Sequence, residues 1–411
     1  MKNLGNINMY ASTSAFQILR FAQDDNIHKT INMGIFLNTI RRELRRIIHR
    51  PIYWIASIVL PLFSLVFMAT IFGNGQMTDL PVGVVDTENT SASRHIVRMV
   101  DATPELKITR HYANETEARE AMQRKEIYGY LYIPPKMTAL CYYYHNAMLS
   151  VGGELHSTFE TLLQQVSVTP IVTEAIGLGE NETSLTSFLM PIVEKELPTF
   201  NDTRNYAVYL SQPFFFVFLQ ILLLLVTTYA LGSESKFGTT DEWLQTAQGN
   251  IGVAVLGKLL PYTGIFLIVS LLANVVFFGW MQTSPTGSLW GIQGVTILFI
   301  PATQALALFL YALFPALSLI ISVVSMVGSL GATLAGVTFP VVFMDAPVYA
   351  VSFFFPIRHF MEVVDSLLYL DGTFADYGMN LILLLCFILI PFLLLPRLKH
   401  ALTTHHYDAI E

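Results

Sequence analysis

The chain has 411 residues, 53% of them hydrophobic and 13% charged, and a formal net charge of −7. Soluble domains carry about 25% charged residues, so this is the composition of a membrane protein, and the acidic balance argues against nucleic-acid binding through a basic field. The two cysteines, Cys141 and Cys386, fall in a polar segment and an apolar run, so neither a disulfide scaffold nor a cysteine metal site is expected.

Residues 1–32 are polar and unpatterned and lack the apolar core of a secretory signal. They read as a disordered leader or a start-site overcall, with Met33 the more natural start. Over 35–49, Ile35, Phe36, Ile40, Leu44, Ile47 and Ile48 recur at helical spacing, while Arg41, Arg42, Arg45 and Arg46 take the other face. The pattern predicts an amphipathic helix over 33–50, lying on lipid at the inner leaflet. Apolar runs, charged only at Lys258 and Arg397 on their ends, predict transmembrane helices over 51–77, 205–233, 258–283, 290–313, 317–343 and 377–397. Each is near the roughly 20 residues that a span requires. "FPALS" (314–318) marks the turn between the fourth and fifth, and continuous rather than alternating apolarity selects helices. The fold expected is a polytopic α-helical membrane protein with six transmembrane helices and an inserted α/β extracytoplasmic domain.

That insertion, 78–204, reads strand, helix, strand, helix, strand, with "TALCYYYHN" as a fourth strand. Thr90 or Ser91 is positioned to cap its first helix. Asp86 and Glu88 at the end of the first strand read as turn chemistry, and no metal site is predicted. N-x-[ST] triplets begin at Asn89, Asn114, Asn181 and Asn201 and matter only in a source that glycosylates. Arginines crowd the start of the first span, and Arg397 and Lys399 follow the last. Both termini (the tail being 398–411) are therefore expected in the cytoplasm.

Residues 234–257 form the loop between the second and third spans. Thr239 and Glu242 have capping-box spacing, and Asp241 and Glu242 suit the positive end of a helix. That helix presents Trp243 and Leu244, either as a knob for a soluble partner or against lipid and its own bundle. "GVAVLGKL" fits seven positions of a phosphate-binding loop, but Leu259 stands where a hydroxyl is needed and no strand precedes it. The span interiors offer Gln220, Asn274 and Gln304 rather than charges, which disfavours an ion-driven carrier. Any energy for uphill movement should come from outside the chain. Ser329 and Thr333 lie on a stripe of small residues suited to close helix packing or to lining a pathway. Over 345–372, Pro347 and Pro356 bound a re-entrant or interfacial element, where Arg358, His359 and Glu362 form a salt-bridged helix or an outer gate.

In order along the chain, "FLNTIRRELRRIIHRP", "VGVVDTENTSASRHIVRMVDATPELKI", "QRKEIYGYLYIPPKM", "LPTFNDTRNYAVYLSQPF", "FGTTDEWLQTA" and the long stretch from "LAGVTFP" to "LLYLDG" resemble segments of the ABC-2 type transporter permeases. The branch resembled is the one with a large extracytoplasmic domain. Two departures stand out: Asn201-Asp202 replaces the family's Asn-Pro, and the loop before Gly238-Thr239 is less charged than usual. The resemblance implies an elbow helix carrying Arg41, Arg42, Arg45 and Arg46. It also implies a coupling loop of Thr239, Asp241, Glu242, Trp243 and Leu244. The partners implied are cytoplasmic ATPase subunits that hold ATP and Mg, a second permease subunit, membrane lipid and, in some systems, a periplasmic adaptor. This chain would bind no cofactor and act as an exporter subunit in a bacterial inner membrane, with an amphiphilic substrate. The alternative from another class is a membrane-anchored sensor or scaffold with an extracytoplasmic binding domain.

Overall fold

A computed structural model of the chain describes residues 33–73, 75, 77–137, 139–177, 205–281, 289–369 and 374–404. Of the sequence expectations, the leader, two of the four N-x-[ST] triplets and half of the tail lie outside them. The chain divides into two compact units, Met1–Gly73 with Asn205–Glu411, and Asn74–Arg204. The first unit opens with α1 (33–49) and α2 (Pro51–Ile71). The second holds β1 (Leu80–Asp86), α3 (Ser91–Asp101), β2 (Leu106–His111), α4 (Glu115–Gln123), β3 (Gly129–Ile133), β4 (Cys141–Tyr144) and α5 (Leu149–Gly177). The first then resumes with α6 (Tyr209–Lys236), α7 (Thr240–Thr246), α8 (Ile251–Trp280), α9 (Leu289–Leu313) and α10 (Leu317–Thr333). It ends with α11 (Ala346–Ser352), α12 (Pro356–Tyr369) and α13 (Ala375–Thr403).

Among the described residues five helices, α2, α6, α8, α9 and α13, are long and apolar enough to cross a membrane. The run expected to span over 317–343 is helical only as α10, which has 17 residues. Gly336 then takes φ +87° and Pro340 follows, so the helix cannot continue. At 1.5 Å per residue α10 rises about 25 Å, short of a hydrocarbon core of about 30 Å. The centre of the bundle is α6 with α9: 67% and 72% of their apolar windows are buried, against 28% for α2 and 22% for α13. Phe216 of α6, Phe299 of α9 and Phe360 of α12 lock these helices together, with ring centroids 4.7 Å apart for Phe216–Phe360 and 4.3 Å for Phe299–Phe360. Polar pairs join α8 to α9: Thr263 to Gln304 at 2.6 Å and Asn274 to Gln293 at 3.0 Å. Such bonds hold helices together where lipid provides no hydrophobic contrast.

In the second unit the sheet order is β2-β1-β3-β4, with β1 parallel to β2 and β3, and β4 antiparallel to β3. The path goes outward from β1 to β2 and then back across to β3. Right-handed crossovers therefore put α3 and α4 on opposite faces. Residues of α3 and α5 bury Ile96, Val100, Leu155 and Phe159 against Val82 and Leu131 on one face. Ala118 and Ala121 of α4 cover Val85 and Tyr130 on the other. Both faces of β1 and β3 are covered, which explains their continuous apolar character. Of the two candidate caps for α3, Thr90 closes it, in a reciprocal box with Ser93. The Asp86 carboxylate accepts from the Glu88 and Asn89 N–H groups (3.1 and 2.9 Å) and from Ser93 Oγ (2.6 Å). Its capacity is spent on the turn.

Candidate functional site

Lys258 is the only Lys, Arg, Asp or Glu between Glu242 and Asp345. Asn250 caps α8 by accepting from the Gly252 and Val253 N–H groups, and Lys258 sits two turns in, with no exposed surface. A buried ammonium must be paired or lose its charge. Its Nζ donates to Glu43 Oε2 of α1 at 2.7 Å and to Glu234 Oε1 of α6 at 2.5 Å. It also stands 5.1 Å from the ring centre of Trp243 on α7, a cation–π distance. Four helices thus meet on one lysine.

The rest of the cluster completes the pairing. Glu234, fully buried, accepts both terminal nitrogens of Arg42 (2.9 and 3.1 Å), one of Arg46, and the Thr239 hydroxyl. Glu43 accepts a second bond from the Tyr262 hydroxyl at 2.8 Å. Arg46 Nη2 donates to Ser233 Oγ at 2.9 Å, and Tyr53 OH shares a 2.7 Å bond with the same oxygen. At the exposed rim, Arg42 Nε reaches Glu242 Oε1 at 3.3 Å. Three cations face three carboxylates, so burial leaves little net charge to solvate. Burial by itself would lower the Arg42 pKa. Its bonds to Glu234 and the charges of Glu234 and Glu242 outweigh that and hold the guanidinium above its ordinary value.

Backbone approach makes this meeting geometrically available. A Cβ on Gly257 would lie 2.8 Å from both Thr39 Cβ and Cγ2, so α1 crosses α8 where no side chain fits. Gly257→Ala should destabilise the bundle by about 1–3 kcal/mol through overpacking. Thr39→Gly should restore most of the loss, read as the unfolding temperature in detergent of the single and double variants.

Several expectations change here. The face of α1 that meets protein carries Thr39, Glu43 and Ile47, with Arg42 and Arg46 beside it. Leu44 and Ile48, 43% and 72% exposed, point away together with Arg41 and Arg45. Ion pairing thus turns a polar face inward, contrary to an apolar face packed on lipid alone. Thr239 forms no capping box: it makes no side-chain cap, and its hydroxyl donates to Glu234. Trp243 is fully buried, donates its indole N–H to the Ala254 carbonyl at 3.2 Å, and packs with Leu244 among Val255, Leu308 and Leu398. It is therefore no protruding knob; the exposed residues of α7 include Asp241 and Glu242. Glu43, Glu234, Lys258 and Tyr262 were not anticipated as a site. The signal available was isolation: Lys258 alone in an uncharged stretch, and Glu43 the only acid between Met33 and Thr78.

The remaining candidates lie apart from this cluster. Gln220 is buried, and among the described residues neither polar atom of its amide finds a partner. Asn274 belongs to the α8–α9 network. Ser329 and Thr333 are exposed on α10 and bond back to the carbonyls four residues earlier, while Gly328 and Gly331 make the close approaches to Ile221 and Gln220. Arg358 is 2% exposed, 3.9 Å above the Phe353 ring, bonded to Ser352 Oγ (2.6 Å) and to Glu362 (3.2 Å). His359 joins Asn380 (2.9 Å) and the Phe353 carbonyl (3.1 Å). These contacts clamp α11, α12 and α13 together. Among the described residues no three His, Cys, Asp or Glu side chains converge as a metal site.

No curated protein matches the chain. The sequence profile of the family described as "ABC-2 family transporter protein" matches residues 51–395. That match takes in the second unit and the helices from α2 into α13, with Glu234, α7 and Lys258 inside it. The chain is thus a multi-pass membrane protein that belongs to the ABC-2 transporter family.

Proposed function

We propose that the chain is the permease subunit of an ATP-driven exporter in a bacterial inner membrane, with the shorter apolar helix α10 as a sixth crossing beside the five long ones. In this reading both termini are cytoplasmic, and residues 78–204 form an extracytoplasmic domain that handles substrate or a periplasmic adaptor. A second permease completes the pathway for an amphiphilic substrate, and separate ATPase subunits hold ATP and Mg. The observation that carries the reading is the buried cluster on Lys258. It ties α1, α7 and the adjoining ends of α6 and α8 into one stiff body, while Asp241 and Glu242 remain exposed on α7. A push delivered to α7 would reach two membrane helices without being absorbed by loose packing.

The test is Asp241→Asn with Glu242→Gln, in the chain reconstituted with its ATPase subunits in nanodiscs. Both positions are exposed, so stability should change by less than about 1 kcal/mol. Stimulation of ATP hydrolysis and export should both fall by roughly tenfold or more, the equivalent of losing about 1.4 kcal/mol of coupling. Export at the unmodified rate would overturn the docking role of α7.

A further inference from the structure

The two edges of the sheet in the second unit are built differently. β2 exposes Lys107, Arg110 and His111, and its pairing with β1 slips between Val82 and Gly83. Charges and bulges are the usual guards that stop an edge from accepting another strand. β4 has neither. Its Cys-Tyr-Tyr-Tyr lies within residues 138–153, which contain no Asp, Glu, Lys or Arg.

The register identifies the groups that β4 leaves open. Tyr130 stands opposite Tyr143, and Tyr132 opposite Cys141. The His145 N–H donates to the Tyr128 carbonyl at 2.8 Å, which marks the hydrogen-bonded phase of the ladder. Alternation then turns the backbone groups of Cys141 and Tyr143 toward β3, and those of Tyr142 and Tyr144 outward. Among the described residues these outward groups meet no partner. The strand is held stiff from both faces. Tyr142 stacks on Phe159 (5.4 Å) and Tyr144 on His156 (5.4 Å), Tyr142 OH bonds His156 Nδ1 at 2.7 Å, and Tyr143 stacks on Tyr130 (4.7 Å). Just beyond it, Met148 and Leu149 are 40% and 80% exposed.

We propose that β4 pairs antiparallel with β4 of a second copy of this chain, joining two four-stranded sheets into one. The register that brings the outward groups together sets Tyr142 opposite Tyr144 of the other copy and Tyr143 opposite itself. Tyr–Tyr cross-strand pairs extend the existing stacks, and no like charges meet. The same operation on β2 would oppose Lys107 and Arg110 to their own copies. A two-fold interface uses one patch twice, and an uncharged, self-complementary strand meets that requirement; the strand offers no charge by which a different protein would be selected. The inference adds a contact between copies to the permease reading and does not depend on ATP-driven export.

The experiment is disulfide trapping in the full chain with Cys141→Ser and Cys386→Ser. At the non-hydrogen-bonded position the Cα atoms would be about 4.5 Å apart, within disulfide range, so Tyr143→Cys should form at least roughly tenfold more covalent dimer on oxidation than Thr109→Cys on β2. Because Tyr143→Cys also removes a ring stacked on Tyr130, a second arm co-expresses distinguishable Tyr142→Cys and Tyr144→Cys chains, which should cross-link to each other. A chain that runs as a dimer yet cross-links in neither arm overturns the pairing and leaves the permease reading standing. A monomer, or trapping of a different protein, overturns it as well.

Discussion

Glu234→Ala should destabilise the helical bundle by about 3–5 kcal/mol, the usual result of removing one partner from a buried ionic cluster. The residue accepts from Arg42, Arg46, Lys258 and Thr239 and has no exposed surface. Without it Arg46 keeps, among the described residues, Ser233 and the Tyr53 ring, and Lys258 keeps a single carboxylate, Glu43. The measurement is the unfolding temperature in detergent, with Glu242→Gln as the reference: that carboxylate is 69% exposed, and its loss should shift stability by less than about 1 kcal/mol. A companion experiment separates charge pairing from packing. Glu43→Gln with Lys258→Met removes both members of one pair and should cost less than Lys258→Met alone, because no orphaned charge remains. Additive losses would mean that the two residues do not share an interaction.

Trp243→Ala should be nearly as damaging, by about 3–5 kcal/mol, for a different reason: it opens a large cavity in a packed core. Trp243→Phe should cost far less, because the ring stays and about 1 kcal/mol of hydrogen bonding to the Ala254 carbonyl is lost. The comparison decides how α7 variants should be read. An acidic substitution at Trp243 or Leu244 would lose transport by unfolding the junction, whatever the role of α7. Only Asp241 and Glu242 report on a surface. If Trp243→Ala left the unfolding temperature unchanged, the residue would have to be exposed, and the knob reading would return.

Much of the architecture was legible because helices and strands announce themselves locally. An apolar run of about 20 residues and strict alternation are properties of a single segment. Five of the six apolar runs lie on helices long enough to span a membrane, although α2 ends at Ile71 and α8 begins at Ile251, and α13 extends past Pro391 because a short 3₁₀ segment, Ile390–Leu394, carries the chain into a further helical turn. The run over 317–343 misled because composition does not register a glycine that must leave the helical region: Gly336 at φ +87° ends α10 early. The segment before the first span misled in a similar way. Its apolar periodicity was sound, but the arginines at 42 and 46 had partners that periodicity cannot see.

Sequence by itself determined that this is a membrane chain, where its apolar segments lie, and that a mixed α/β segment interrupts them. It also displayed the anomaly, a solitary Lys258 in an uncharged stretch. Only the tertiary structure decided what that lysine is for. Its partner Glu43 is 215 residues away, and Arg42 is 192 residues from Glu234. Which charges meet across such separations depends on how helices cross, here on Gly257 allowing α1 onto α8. Hydrophobic pattern is encoded within each segment, whereas the pairing of buried charges is a property of packing, because desolvation makes each charge depend on whatever other segment is brought against it.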